Sequence, residues 1–198
     1  MNSFYSREEL ASLGLDTYGQ NVLISRKTSI YGAEKIVIGN NVRIDDFCIL
    51  SGKMTIGNYI HIGAYSGFFA GCTGITIGDF STISSKVSLY ALSDDYSGES
   101  MTSPMIPDKF RNVTEKEIII GRQVIIGTGT SILPGVEIAE GCSIGAMSLV
   151  NKSTEPWGIY VGIPAKWKKS RSKNILELEK DYLEELRQNH EVVIRGIS

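Results

Sequence analysis

Residues 38–73 read IGNNVR, IDDFCI, LSGKMT, IGNYIH, IGAYSG and FFAGCT when cut every six residues from Ile38. After three extra residues, Gly74, Ile75 and Thr76, the frame resumes with IGDFST, ISSKVS and LYALSD. A polar stretch interrupts it, and it restarts at Ile120 with IGRQVI, IGTGTS, ILPGVE, IAEGCS, IGAMSL and VNKSTE. Ile, Leu, Val or Phe holds the first position in all fifteen units. One large and one smaller inward residue per six suits a short strand followed by a tight turn. Each unit alone buries almost nothing, so stability must come from stacking successive coils. Three such strands close a triangular coil of about 18 residues in the hexapeptide β-helix. The repeats then supply five coils, with Ile38, Ile56, Ile77, Ile120 and Ile138 stacked in one column.

Composition narrows the function classes. The 198-residue chain is 42% hydrophobic and 21% charged, which excludes a disordered polymer. A net charge of -2 argues against nucleic acid as partner, since phosphate binding needs a basic surplus. No apolar run approaches the roughly 20 residues of a membrane span, and the start, MNSFYSREEL, is polar. A soluble cytoplasmic protein is expected. The 21 glycines are read as turn residues that adopt dihedrals a Cβ disfavours. Cys48, Cys72 and Cys142 all fall at the fifth, inward position of their units, and no CxxC spacing exists. They are expected to be small buried hydrophobes, with no metal bound.

The repeat is framed by two helices and broken by one loop. Ser6-Arg7-Glu8-Glu9 has the form of a capping box, which predicts a helix to about Leu13 with Gly14 as its stop. Asn174 is placed to cap ILELEKDYLEELRQ, a C-terminal helix packing on a coil or on a neighbouring subunit. His190, in that helix or its frayed end, is expected at the surface. The organisation expected is residues 1–37 as helix and lead-in strands, 38–166 as the β-helix and 167–198 as a helical arm. The loop 94–118 is extruded from the β-helix, and its length and its Asp94-Asp95 start point to function.

With the repeat, the loop after LYALSD and the closing segment SLVNKSTEPWGIYVGIPAKWKK on the page, the chain resembles the hexapeptide-repeat acyltransferases. The likeness runs roughly from Val37 to Lys169. It is strongest to the maltose and galactoside type of sugar O-acetyltransferase and to the O-acetyltransferases of surface-polysaccharide assembly. The resemblance implies an all-β solenoid, a left-handed parallel β-helix, assembled as a homotrimer. Acetyl-CoA would lie in a groove between subunits and pass its acetyl group to a sugar or sugar-nucleotide acceptor. The implied activity is O-acetylation of a sugar hydroxyl during O-antigen, capsule or other surface-polysaccharide biosynthesis. Two alternatives stand beside it: N-acetylation of an amino sugar nucleotide, and a non-catalytic trimeric scaffold.

The family's usual base is a histidine where the repeat breaks into the loop, and Asp94 occupies that place here. Three routes remain open. His61 serves as general base, oriented by Asp94 or Asp95; or Asp94 serves, its pKa raised by Asp95; or the acceptor is an amine that needs only weak assistance. For the donor, the resemblance places Gly127, Thr128 and Ala146 along the pantetheine arm, with Asn151 and Lys152 just beyond. Lys166 and Lys169 match basic residues that meet the CoA phosphates. Trp157 either covers the groove or closes the last coil. The γ-type carbonic anhydrases share the fold but need three zinc histidines, and this chain has only His61 and His190.

Overall fold

The computed structural model describes residues 3–195 and shows a left-handed parallel β-helix of seven coils. Six coils contribute a short strand to each of three faces, and the seventh contributes one to face one only. Face one stacks residues 22–24, 42–44, 60–62, 82–83, 125–126, 143–144 and 158–161. Face two stacks 29–31, 49–51, 67–69, 88–90, 131–132 and 149–150, and face three stacks 17–18, 36–38, 54–56, 75–77, 118–120 and 137–138. Strand stacking therefore begins at Thr17, one coil ahead of Ile38. The expected column is present in register: Ile38 pairs with Ile56, Ile56 with Ile77, Ile77 with Ile120 and Ile120 with Ile138. All five are buried, each contributing about 1.5–3 kcal/mol of hydrophobic stabilisation.

The glycines divide between the expected left-handed turns and a second role. At Gly63, Gly78 and Gly121 the φ angle is not left-handed. A Cβ there would come within 2.7 Å of the backbone nitrogen of Ser85, Arg122 or Glu140 in the next coil. These glycines permit close approach between coils. Among the described residues ten glycines, Gly52, Gly129, Gly135 and Gly141 among them, do take left-handed turns, and ten other residues share the left-handed turn position. At corner I, between faces three and one, it holds Asn21, Asn41, Tyr59, Phe80, Gln123 and Trp157; at corner II, between faces one and two, it holds Phe47, Tyr65, Lys86 and Met147. Non-glycine residues held there cost of order 1–3 kcal/mol each, which the paired coils must offset.

Cys48 and Cys142 are buried, and burial pushes the Cys48 thiol up. Cys72 is exposed. The extra residues enter where strand Gly67–Ile77 rounds corner III, between faces two and three, with left-handed Gly71 and Gly74 on either side of Cys72, so the hexapeptide phase fails at that point.

The N-terminal helix α1 spans Arg7–Ser12 with its capping box formed and Gly14 left-handed beyond it. Glu9 binds Arg26 of the first coil at 2.5 and 2.6 Å, and Leu10 is buried. The chain ends with strand Lys166–Ser170, antiparallel on Gly158–Val161, and helix α2, Asn174–Arg195. α2 returns along corner I: Glu179 accepts from Arg122 and from Gln123, and Tyr182 meets the Tyr59 ring edge-on. The His190 side chain lies outside the described residues.

Candidate functional site

The loop leaves face two after Ser88–Tyr90. Its stem is closed by Leu92–Ser93 pairing antiparallel with Thr114–Glu115. Arg111, largely buried, donates to Asp94 at 3.4 Å and to Asp108 at 3.3 Å, which ties the loop's two limbs together. Tyr90, Ser93, Asp94, Tyr96, Ser131 and Leu149 line a cleft of about 420 Å³ on face two. Hydrogen bonds from Ser97 hold the Asp95 carboxyl below its usual range. The Ser97 amide, donating at 2.8 Å, stabilises the Asp95 anion.

His61 points outward from the middle of a face-one strand, Ile60–Ile62, rather than from a corner. Its Nε2 lies 2.8 Å from Asp45 Oδ2, while Arg43 Nε donates to Asp45 Oδ1 at 2.7 Å. Burial pushes Asp45 up, but the hydrogen bonds from His61 and Arg43 outweigh it and hold the carboxyl below the usual range. An ionised carboxylate only accepts, so Nε2 is the donor in this bond. The histidine's orienting partner is thus Asp45, not Asp94 or Asp95. Within one chain, face one and the loop at corner III stand on opposite sides of the prism.

The residues matched to the donor divide between two corners. Gly127, Thr128 and Ala146 follow face-one strands and lie along corner II. A Cβ on Gly127 would strike the backbone of Ala146, and Thr128 Oγ1 donates to Ser85 O at 2.6 Å. Asn151 and Lys152 follow Leu149–Val150 and sit exposed at corner III. Lys166 and Lys169 lie on the exposed final strand and, with Lys168, have no ion-pair partner among the described residues. That leaves three cations for a phosphate-bearing ligand. Trp157 lies over Gly141 at corner I beneath Lys173, so it closes the last coil there.

Sequence reasoning passed over corner II itself. Its first turn position holds Ser25, Asp45, Gly63, Ser84, Gly127 and Gly145 in successive coils, so polar side chains stand at places where other coils have glycine. A column drawn through the turn residues, rather than through the inward isoleucines, would have found them. Among the described residues no cluster of three or more His, Cys, Asp or Glu side chains is arranged to hold a metal, and no helix is long and apolar enough to cross a membrane.

A hexapeptide prism with a loop-bounded carboxylate cleft and a glycine-lined corner is the architecture of an acyl-transferring enzyme. The chain belongs to the hexapeptide-repeat acyltransferases. Residues 117–152 match the family model described as bacterial transferase hexapeptide (six repeats). The chain is 46% identical over 174 residues to a dTDP-4-amino-4,6-dideoxy-D-glucose acyltransferase of Escherichia coli, covering 86% of this chain and 90% of that protein. It is 31% identical over 147 residues to WbbJ, a putative lipopolysaccharide biosynthesis O-acetyl transferase of Escherichia coli K12, with 70% of each covered. Among solved structures it is similar to AntD, an N-acyltransferase from Bacillus cereus in complex with dTDP and 3-hydroxybutyryl-CoA. That likeness has 50% identity and a TM-score of 0.92, with 94% of this chain and 100% of AntD covered. AntD has also been solved as S84A and D94N variants.

Proposed function

We propose that this protein transfers an acyl group from acyl-CoA to the amine of a nucleotide-linked amino-dideoxy sugar, acting in the cytoplasm as a homotrimer. The observation that carries the reading is the 46% identity to the dTDP-amino-sugar acyltransferase across nine-tenths of that protein's length. The chain's chemistry agrees: the loop offers Asp94 where a hydroxyl acceptor would call for a histidine base. A sugar amine is nucleophilic as the free base, and a carboxylate suffices to hold its ammonium form and take up one proton. Ser84 and Asp94 stand in this chain at the numbers substituted in AntD. The acceptor thus moves from the sugar hydroxyl expected from the family to a sugar nitrogen. WbbJ favours the hydroxyl as the second reading.

In this reading the amine nitrogen attacks the thioester carbonyl, the C–N bond forms, and the C–S bond breaks as the adduct collapses. The proton lost by nitrogen passes to the departing thiolate by way of Asp94, which, like the other corner III residues, comes from the neighbouring copy. Gly127 and Ala146 expose backbone along corner II to the pantetheine arm, and Lys166 and Lys169 meet its phosphates. Asn151 and Lys152, on corner III, reach the donor from the neighbouring copy. Asp94→Asn is expected to lower kcat at least 100-fold with the fold unchanged, and His61→Ala less than tenfold, measured by thiol release with dTDP-4-amino-4,6-dideoxyglucose. The reverse order assigns the base to His61–Asp45. Turnover confined to sugar hydroxyls replaces the amine reading with O-acylation.

A further inference from the structure

The extruded loop inverts the usual order of burial. It leaves Tyr96 94%, Met105 89% and Phe110 51% exposed, yet takes in the Arg111 side chain, which is 16% exposed. A guanidinium withdrawn from water costs free energy unless carboxylates or carbonyls take up its donors. Arg171 shows what a structural arginine does in this chain: its Nη1 alone serves three carbonyls at 2.6, 3.0 and 3.2 Å. Arg111 is poorly satisfied beside it. Its Nη1 reaches Asp108 at 3.3 Å, but that carboxylate is 98% exposed, and a pair with one member in solvent contributes little. Its Nε is buried and meets no acceptor among the described residues. Its Nη2 reaches Asp94 Oδ1 at 3.4 Å. The backbone holds the residue firmly, since Arg111 N donates to Asp108 O and Met101 N donates to Phe110 O, both at 2.9 Å. What the burial secures is the contact with Asp94.

We propose that Arg111 is a positioning residue for the acyl transfer: it holds Asp94 Oδ1, so that Oδ2 is the oxygen presented to the acceptor amine. This rests on the amino-sugar reading above, in which Asp94 takes up the proton. Asp94 lines the cleft, its side chain is 42% exposed, and Oδ2 bonds no partner among the described residues. The neighbouring Asp95 is turned by the Ser97 amide at 2.8 Å and its Oδ2 is buried. Of the two carboxylates, only Asp94 borders the cleft with an oxygen left to accept. Arg111 is its one side-chain partner among the described residues. A carboxyl free to turn about its side-chain torsions would leave the line of the amine, and a misplacement of about 1 Å can cost a transfer step about 100-fold. Arg111 cannot take the proton itself, because a guanidinium presents donors and no acceptor. It acts through Asp94: the nitrogen gives its proton to Oδ2, Oδ2 passes it to the departing thiolate, and Arg111 fixes the carboxyl plane throughout. Both side chains belong to one loop, so the pair is set before the neighbouring copy's donor meets it.

The test is a double-mutant cycle in the intact protein, read by thiol release with dTDP-4-amino-4,6-dideoxyglucose as acceptor and acetyl-CoA or 3-hydroxybutyryl-CoA as donor. Arg111→Met is expected to lower kcat about 30-fold while the KM for the donor stays within about twofold, because the donor contacts lie elsewhere. Arg111→Lys keeps a cation beside Asp94 but cannot span Asp94 and Asp108, and is expected to fall only about fivefold below wild type. Beside Asp94→Asn, either change is expected to alter kcat less than about twofold, since the aim of a carboxylate no longer matters once it is gone. Losses by the same factor in both backgrounds make Arg111 a structural residue of the loop and overturn the proposal. Wild-type kcat in Arg111→Met also overturns it. Where Arg111→Met does not fold, the Arg111→Lys cycle decides by the same two outcomes. An Asp94→Asn variant as active as wild type overturns the role of Asp94, and the positioning role with it. Absence of amine acylation by the wild-type protein overturns the amino-sugar reading itself.

Discussion

Corners I and II are built from the same turn, repeated coil by coil, with aromatic side chains at its left-handed position, yet one is closed and the other open. Along corner I the chain covers its own rings. Tyr182 abuts Tyr59, Glu179 accepts from Arg122 and Gln123, and Arg171 Nη1 donates to the carbonyls of Gln123, Gly141 and Cys142 at 2.6, 3.0 and 3.2 Å. Burial pushes the Tyr59 hydroxyl up and the Arg171 guanidinium down. Along corner II, Phe47 and Tyr65 stay exposed, with only the Lys27 ammonium lying over the Phe47 ring at 5.0 Å. The difference separates stability from recognition: a ring that the chain seals contributes to folding, whereas one left open is free to meet a ligand.

The comparison breaks most visibly at Arg171. Arg171→Ala orphans three carbonyls of corner I and should cost roughly 2–3 kcal/mol, lowering the melting temperature by roughly 8 °C. A shift below about 2 °C would mean that α2 does not depend on this anchor. A matched pair sharpens the contrast. Tyr59→Asn loses a stacked and an edge-on ring contact and should cost about 1.5 kcal/mol in denaturant unfolding. Phe47→Asn relieves left-handed strain at an exposed site and should stay within about 0.5 kcal/mol of wild type. Equal losses at the two positions would erase the distinction.

The smallest effect belongs to α1, docked beside the first turn of corner II. The Arg26 guanidinium holds Glu9 down to about 2. A lowered carboxylate stabilises the fold in full above its unfolded pKa, near 4.3, and loses that contribution as pH falls towards 2. Glu9→Gln should therefore flatten the stability change between about pH 4.3 and 2, with a shift of under about 2 °C at neutral pH because the pair is exposed. A wild-type acid limb in Glu9→Gln would place the proton uptake elsewhere.

The inward column was legible because burial repeats a single demand in every coil: Ile38 to Ile138 can only be large and apolar. The corners were not, because a turn residue satisfies the backbone whether it is Asn41 or Phe47, and the hexapeptide phase says nothing about which side chain it presents. Glycine was legible in part, since Gly52, Gly135 and Gly141 do take left-handed turns, but those next to the inward isoleucines do something else. Its frequency after the inward isoleucine marks a lack of room against the next coil, as at Gly63 against Ser85, and not a special dihedral. Cys72 was lost to a local break in phase. The Asp94 loop was visible as an interruption with carboxylates. That His61 turns to Asp45 was hidden, since the pair forms across neighbouring coils, 16 residues apart in the chain. The choice between an oxygen and a nitrogen acceptor lies in ligand chemistry that the repeat does not encode.

Ile77 pairs directly with Ile120, although the whole extruded loop lies between them. The ladder advances by one strand spacing, about 4.8 Å, whether the chain takes the short path or a long detour at corner III. Loop length and axial step are therefore independent coordinates. Lengthening, shortening or replacing the detour can change what is admitted at the cleft, while the intervals between successive turns of corner II stay constant. In mechanical terms corner II is a graduated scale, and the loop is a cursor that can be exchanged without moving its divisions.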